Sequence, residues 1–362
     1  MKRQNNRYTV LPKRITGFTL IELLVASALS IIVLIAAGSG FVTTQKLSQV
    51  AKGRLQVQND LRNATNMIVR DARMAGSFGC FNLAKMAANN QAKLKDHGTG
   101  NVLLGALEFN NQNQGVKYLN GSSLSFTDFT INTSSPKVLL FTYGIGSSSG
   151  YTGSKDSFSV QIEKGGELAE LAGQTDAPII ISTCSSLERF PSSTKKLSGS
   201  VLTVKDLSPN LSPDHDTQVN PKLQSEISVF RQVVNIYAIG TPTGGEEGLY
   251  LFQLNPNGEI SAPQLLLAGV TSWELEFGYV QSPGCKSMQN DTKIKFVNNI
   301  ESNKTALSPA LLRMKLKGSG GGEVKSGKAA NNSESDVQTY YINATIRGGN
   351  SCAERNFQED AN

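Results

Sequence analysis

The feature that most constrains this chain is an apolar run close to the N-terminus, from Phe18 to Ala37. As a helix, about 20 such residues cross the hydrocarbon core of a bilayer, which is roughly 30 Å thick. A secretory signal peptide is the first alternative, but its apolar region has only about 7–15 residues and its cleavage site follows that region. The run therefore predicts a membrane-spanning helix, with its transmembrane part at residues 18–40.

A cluster of positive charges precedes the apolar run. The 362-residue chain has a formal net charge of +6, and removing residues 1–17 would leave +1, because five basic residues and no acid lie there. Positive residues beside a membrane span remain on the cytoplasmic side. A nearly neutral remainder has no basic surface for a phosphate backbone, so no nucleic-acid contact is predicted. The five residues are Lys2, Arg3, Arg7, Lys13 and Arg14.

Glu22 is the only charged residue within the run. A carboxylate in a lipid-facing helix costs at least a few kcal/mol, so it usually has a partner or a function. It could reach the interface from its position near the helix start. Alternatively, a cut after Gly17 would give Phe18 a free amine. In a stack of subunits, that amine could pair with Glu22 of a neighbour.

These residues resemble a known signal. KRITGFTLIELLVASALSIIV, residues 13–33, is similar to the type IV prepilin signal. The resemblance implies that a prepilin peptidase of the inner membrane removes a basic leader, residues 1–17, by cutting between Gly17 and Phe18. It also implies N-methylation of Phe18 and an assembly role for Glu22. RDARMAGSFGC (70–80) and IIISTCSSLERF (179–190) resemble two stretches of the PilW family of minor pilins.

An apolar stripe continues beyond the membrane segment at three- and four-residue steps, as on one face of a helix. It predicts a single pilin helix over residues 18–75, with an amphipathic second half docked on a globular domain. Glycines at 76 and 79 end the pattern. A periplasmic β-rich domain is therefore expected at 76–362. The stripe consists of Leu47, Val50, Val57, Leu61, Ala64, Ile68, Ala72 and Ala75.

The rest of the chain predicts short strands joined by polar loops, hence an α+β fold with a large antiparallel sheet. Residues 273–279 alternate apolar and polar side chains, as in a half-buried strand. Asn255 to Gly258 supply turn chemistry for a hairpin between 249–254 and 264–270. A loop is predicted at 317–336. The other strand candidates are 138–143, 157–162, 179–183, 227–238 and 311–316.

The four cysteines, Cys80, Cys184, Cys285 and Cys352, form no CxxC pair and lie far from both histidines. Metal and thioredoxin-type sites are therefore not predicted. An even number of cysteines in an oxidising compartment indicates two disulfides, with three possible connectivities. The resemblance to PilW favours Cys80–Cys184, which leaves Cys285–Cys352.

No grouping of residues predicts catalysis, and neither an enzyme nor a cofactor is expected. Glu274 and Glu276 share one strand face, which is interpreted as solvated. Asp214-His215-Asp216 stands alone, without a second cluster to complete a metal site. Residues 322–329 nearly match a phosphate-binding loop, but Ala329 lacks the hydroxyl that such a loop needs for Mg²⁺.

The sequence thus predicts a minor pilin of a type IV pilus that supports twitching motility, adhesion or DNA uptake. The implied partners are the prepilin peptidase, other minor pilins, the major pilin, the inner-membrane assembly platform and a tip adhesin. The domain would be periplasmic, with a cytoplasmic N-terminus, before the subunit enters the fibre at the cell surface. Two alternatives remain: a type II secretion minor pseudopilin, or a tip-located binding module that uses polar loops at 90–125 and 317–336.

Overall fold

The computed structural model describes only part of the chain. The fold and contacts below concern residues 17–79, 81–83, 93–96, 115–146, 149–154, 157–161, 168, 179–183, 186–190, 195–198, 201–205, 228–255, 259–280, 294–300, 309–319 and 337–346. The chain divides into two compact units, residues 1–55 and 56–362.

The first unit consists, where described, of the start of one long helix. This helix, α1, spans Leu20–Met74 and continues into the second unit. Its large apolar side chains from Leu20 to Leu47 are exposed, as is Leu55. The predicted N-terminal helix is therefore confirmed. Burial of the apolar stripe begins further along the helix than predicted. Leu47 is 65% exposed, whereas Val57 and Leu61 are partly buried.

Glycine ends the helix. Gly76 has φ of 75°, a left-handed conformation that costs glycine little and is common just after helices. Its N–H donates to the carbonyl of Thr142 over 2.8 Å, so the chain joins the β structure at once. Gly115 approaches the same backbone so closely that a Cβ would lie 2.2 Å from the Gly76 nitrogen. A side chain at position 115 would therefore separate the helix end from the sheet.

The described part of the second unit consists mainly of strands. In chain order they are β1 (Ser77–Phe78), β2 (Phe81–Asn82), β3 (Lys93–Asp96), β4 (Val116–Asn120), β5 (Phe129–Ile131), β6 (Lys137–Ile145), β7 (Ser149–Ser154), β8 (Ser157–Gln161), β9 (Ile179–Ser182), β10 (Ser186–Phe190), β11 (Lys195–Ser198), β12 (Val201–Lys205), β13 (Ser228–Pro242), β14 (Gly248–Gln253), β15 (Gln264–Ala268), β16 (Val270–Val280), β17 (Ile294–Val297), β18 (Leu311–Ser319) and β19 (Val337–Thr345). A 3-10 turn, Gly121–Ser123, follows β4.

Strand β13 organises a nine-stranded sheet. One edge of β13 pairs with β9 and then β14, and the other edge pairs with β6 and then β5. The sheet extends through β14 to β15, through β9 to β10 and β3, and through β6 to β4. All these pairs are antiparallel except β3 with β10. β13 is therefore an interior strand with partners on both edges.

Three smaller sheets complete the described part of the domain. One has the order β17-β16-β18-β19 and another the order β11-β12-β8-β7, and both are antiparallel. The third is the two-stranded hairpin of β1 and β2 directly after the helix. The structure therefore confirms an α+β fold with a large, mostly antiparallel β domain.

The main core is shared by three elements. The helix contributes Ile68 and Ala72, with Ala75 directly after it, and one face of the nine-stranded sheet contributes residues such as Phe141 and Ile239. The inner face of the β16–β19 sheet supplies the third set: Val270, Trp273, Leu275, Phe277, Tyr279, Leu312, Met314, Leu316, Ile342, Ala344 and Ile346. Burial of these side chains is the main driving force for joining helix and sheets, at about 1.5–3 kcal/mol for each large residue.

The opposite face of the nine-stranded sheet carries a second apolar cluster. Val234, Ile236 and Ala238 alternate with the residues of the main core along β13. Phe126 and Phe129 cover this face, with ring centroids 4.7 and 4.9 Å from that of Phe252. Both faces of the central strands are therefore buried, which explains the nearly continuous apolar run of β13.

A buried carboxylate attaches the helix to the sheet. Asp71, in the last turn of α1, is fully buried. It accepts hydrogen bonds from the Tyr143 hydroxyl at 2.9 Å, the Tyr237 hydroxyl at 2.6 Å and Asn235 Nδ2 at 2.6 Å. Arg70 Nε lies 3.4 Å from the same carboxylate. Three donors from β6 and β13 and one cation thus compensate a charge that burial would otherwise disfavour.

The two tyrosines act as donors because they retain their protons. Burial, and then the Asp71 charge, raises the pKa of both Tyr143 and Tyr237 well above the ordinary value. A phenolate at either position would place a second negative charge beside Asp71. Both hydroxyls therefore point their hydrogens at the carboxylate under neutral conditions.

Several sequence expectations need correction. β18 continues to Ser319, so residues 317–319 of the predicted loop belong to a strand, and 320–336 lie outside the described residues. Within the polar stretch 90–125, the structure places β3, β4 and a 3-10 turn. The six predicted strands and the alternating strand are confirmed, as is the hairpin of β14 and β15.

We expect Asp71→Ala to lower the free energy of unfolding by about 3–5 kcal/mol, because three buried donors lose their acceptor. Urea unfolding of the full chain in a mild detergent, followed by the emission of Trp273, measures the change. Asp60→Ala, on the same helix and partly exposed, is the matched control, with an expected effect within about 0.5 kcal/mol. Equal effects of the two substitutions would contradict an anchoring role for Asp71.

Candidate functional site: the start of the helix

The predicted cleavage bond lies outside the helix. Gly17 and Phe18 have no regular secondary structure, and α1 begins at Leu20. Phe18 is 91% exposed, and no atom lies within 4 Å of the position that a Cβ of Gly17 would occupy. A peptidase needs an accessible backbone at the bond it cuts. Gly17 and Phe18 are accessible and lie outside the helix.

Thr19 and Glu22 form a capping box at the first turn. Glu22 Oε2 accepts from the Thr19 backbone N–H at 2.9 Å and from the Thr19 hydroxyl at 3.0 Å. In return, the Glu22 N–H approaches Thr19 Oγ1 at 3.4 Å. The first helical bond follows, from Leu23 N–H to the Thr19 carbonyl. This reciprocal arrangement satisfies N–H groups that the start of every helix leaves without a backbone acceptor.

The capping box also fixes the position of the charge. Both Thr19 donors reach Oε2, so Oε1 lies outside the capping box. The carboxylate sits at the positive end of the helix dipole, where an acidic group is favoured. Glu22 can therefore remain in an apolar segment as the acceptor of local donors while a second oxygen is available to another group.

The surface of this helix is unusual for a water-soluble domain. Along Leu20–Val42 the large apolar side chains are exposed, and the most apolar 18-residue window is not buried at all. Within the described residues, α1 is the one helix long and apolar enough to cross a membrane. A continuous apolar surface of this extent requires lipid or other helices around it.

The hydroxyl groups of this segment are satisfied within the helix. Ser27 donates to the Leu24 carbonyl at 2.9 Å and Ser30 to the Ala26 carbonyl at 2.8 Å. Ser39, Thr43 and Thr44 make equivalent bonds one turn back, at 2.8–2.9 Å. Such back-bonding is how hydroxyls are tolerated in hydrocarbon, where water cannot serve as the acceptor.

The comparison with family models falls on this same segment. Residues 12–38 match a model described as the prokaryotic N-terminal methylation motif. The motif indicates a type IV pilin-like protein. It implies processing by a prepilin peptidase and assembly with other pilin components, and together with the apolar helix it indicates membrane anchoring. No curated protein and no solved structure matches the chain.

The two acids of the alternating strand lie on an exposed sheet face, as expected. Glu276 pairs with Arg313 at 3.0 Å, and Glu274 pairs with Lys315 at 3.3 Å and also contacts Lys317. Hydrogen bonds from the two lysines lower the pKa of Glu274. Both carboxylates thus form ion pairs with cations on the neighbouring strand β18.

Other candidates lie outside the described residues: the four cysteines Cys80, Cys184, Cys285 and Cys352, the Asp214-His215-Asp216 cluster and the near-match at 322–329. The two disulfides and their pairing therefore stay predictions. Among the described residues, no three His, Cys, Asp or Glu side chains come together as a metal site would require.

Sequence reasoning missed two parts of the helix. The Thr19-x-x-Glu22 spacing is itself a capping signal and could have been recognised. Asp71 was also recognisable as a charge on the buried stripe, three residues after Ile68 and four before Ala75. Its partners were not, because they are 72–166 residues away in sequence.

We expect Thr19→Val to destabilise the first turn by about 1 kcal/mol, since the hydroxyl of the cap is lost. Amide hydrogen exchange of the full chain in micelles should then be about fivefold faster at Ile21 and Glu22. Thr19→Ser retains the hydroxyl and serves as the control. Unchanged exchange in Thr19→Val would show that the cap does not hold the first turn.

Proposed function

We propose that this pilin-like protein is a minor pilin of a type IV pilus, of the PilW type, which helps to prime assembly of the fibre. The observation that carries the proposal is the start of the helix: an exposed Gly17–Phe18 bond, a capped Glu22 and an apolar surface without free hydroxyl donors in its described side chains. The N-terminal methylation motif covers the same residues.

In this proposal, cleavage after Gly17 creates a cationic partner for Glu22. The new amine of Phe18, which the peptidase then methylates, carries a positive charge. In the fibre it meets Glu22 of a neighbouring subunit, and the two charges compensate each other in an apolar environment. Oε1 of Glu22 supports this role, because the capping box uses only Oε2.

The apolar helix surface serves in two environments. Before assembly, residues 18–40 anchor the subunit in the inner membrane, with the N-terminus in the cytoplasm and the β domain in the periplasm. In the fibre the same side chains contact neighbouring helices. Lipid tails and helix surfaces are similarly apolar, so close packing and the ion pair must supply the preference for the fibre.

The PilW assignment rests on resemblance. The RDARMAGSFGC stretch and a mature chain of 345 residues after loss of residues 1–17 favour a large minor pilin over a type II secretion pseudopilin. The proposed partners are other minor pilins, the major pilin and the assembly platform. We also propose that the protein is not an enzyme and that its cysteines form Cys80–Cys184 and Cys285–Cys352.

The assignment can be tested by deleting the gene. A minor pilin predicts fewer surface pili and lost twitching, with other minor pilins among the proteins that co-purify with the tagged subunit. Intact piliation together with a secretion defect would instead indicate a pseudopilin.

We expect Gly17→Leu to block processing, because a bulky side chain would occupy the open position beside the predicted cleavage bond. The precursor should accumulate, and on a gel it should migrate above the mature form, which lacks 17 residues. Gly38→Leu, in the middle of the apolar helix, is the control and should be processed normally. Appearance of the mature band in Gly17→Leu would contradict the assigned cleavage position.

We expect both Glu22→Ala and Glu22→Gln to insert into the membrane but to enter sheared pili at least tenfold less than wild type, because a buried cation left unpaired costs several kcal/mol. Glutamine retains an oxygen that can complete the capping box but has no charge. Wild-type incorporation of Glu22→Gln would therefore assign Glu22 to helix capping alone. Membrane fractionation of each variant controls for insertion.

A further inference from the structure

A cleft of about 620 Å³ lies in the β domain, far along the chain from the helix start. Its floor is formed by the exposed face of the β16–β19 sheet. Its walls include the turn before β6, at Ser134–Lys137, and Asn298–Asn299 after β17. The volume falls within the range of small-molecule sites, about 300–1,000 Å³.

The charges in the cleft are already compensated. Arg313 and Lys315 are paired with the two acids of β16, as described above. The Arg313 guanidinium also lies 4.1 Å from the Phe296 ring centroid. Lys137 donates to Asn299 Oδ1 and lies 4.9 Å from the Tyr118 ring centroid. A strongly charged ligand would have to displace these partners, whereas a neutral polar ligand could add to them.

The cleft combines this polar lining with aromatic side chains. Tyr341 is 65% exposed and lines the cleft. It lies directly across from Lys315 in the β18–β19 pairing. An exposed ring beside fixed donors and acceptors offers an apolar face and a polar rim at one place.

Trp273 brings a second aromatic residue to the lining of the same cleft. The residue is only 6% exposed, and its side chain belongs to the main core. Burial raises the pKa of the neighbouring Tyr118 hydroxyl, and a side-chain hydrogen bond with Trp273 opposes that rise. Tyr118 and Trp273 thus lie together at the edge of the cleft, where a bound ligand would change the surroundings of the indole.

We propose that this cleft binds a neutral saccharide. Sugar rings carry C–H faces that stack on aromatic rings, and each hydroxyl can donate and accept one or more hydrogen bonds. Tyr341 provides the stacking surface. The paired acids and cations, Asn298 and Asn299 provide both donors and acceptors around it. The mixture of compensated charge and exposed aromatic surface thus favours sugar hydroxyls over an anion or an apolar molecule.

The chain contains one tryptophan, so its emission reports on this cleft directly. The experiment uses the full mature chain in a detergent without sugar groups, such as lauryldimethylamine oxide. The probes are lactose, N-acetyllactosamine, diacetylchitobiose and maltotriose. We expect at least one to change the emission of Trp273 saturably, with a Kd of about 1 mM or lower.

The variants locate the binding. We expect Tyr341→Ala to raise the Kd at least tenfold, and Tyr341→Phe, which retains the ring, to stay within twofold of wild type. Asn343→Ala, on the same strand and exposed on the same face but outside the cleft, is the matched control and should bind normally. Asn299→Ala, on the opposite wall, provides a second variant if Tyr341→Ala does not fold.

Three results would overturn the proposal: no response to any neutral sugar, equal affinity in Tyr341→Ala and wild type, or a response only to a charged probe such as a heparin disaccharide. The measurement uses isolated protein and does not depend on pilus assembly. Loss of sugar binding and failure of the minor-pilin assignment can therefore be distinguished.

Discussion

The contact of Asp71 with β6 and β13 fixes where the helix meets the β domain. This single buried carboxylate, in the last turn of the helix, accepts hydrogen bonds from two hydroxyls and one amide on strands distant in sequence. The chain then turns at Gly76 and bonds to Thr142 on β6. The helix end is thus held both by a polar contact and by the apolar core around Ile68 and Ala72. Because a buried charge tolerates few arrangements, these partners also specify where the helix meets the sheet.

Local patterns were sufficient for much of this fold. The alternation from Trp273 to Tyr279 and the apolar run of β13 predicted strands that the structure contains. Strand pairing could not be predicted in the same way. β13 pairs with β6 across about 90 residues of sequence, and no local pattern encodes that register. The parallel pair β3 and β10 was also missed, because KLKD and SLERF have no clear period of apolar residues. The extension of β13 to Pro242 reflects pairing with β5, which a local reading of β13 cannot anticipate.

The functional sites also divide into features that neighbouring residues encode and features that depend on residues distant in sequence. Roles for Gly17, Phe18 and Glu22 could be proposed from the sequence because they depend on neighbours only a few residues away, and the motif match falls on the same segment. The saccharide cleft was not, because it joins residues from β4, β6, β16, β18 and β19 with turns between them. Glu274 and Glu276 were correctly placed on an exposed face, yet their role as part of a polar floor required the strands beside them.

The capping box has a consequence for maturation. The first helical hydrogen bond ends at the Thr19 carbonyl, and the cap uses only Thr19 and Glu22. A cut between Gly17 and Phe18 would therefore break no hydrogen bond of α1. Precursor and mature subunit would share one helix, and the reaction would change only the charge near its start, by removing five basic side chains and creating a new amine on Phe18. Maturation would then change the charge of the helix start while leaving its first turn intact, so the cut itself requires no refolding of the helix.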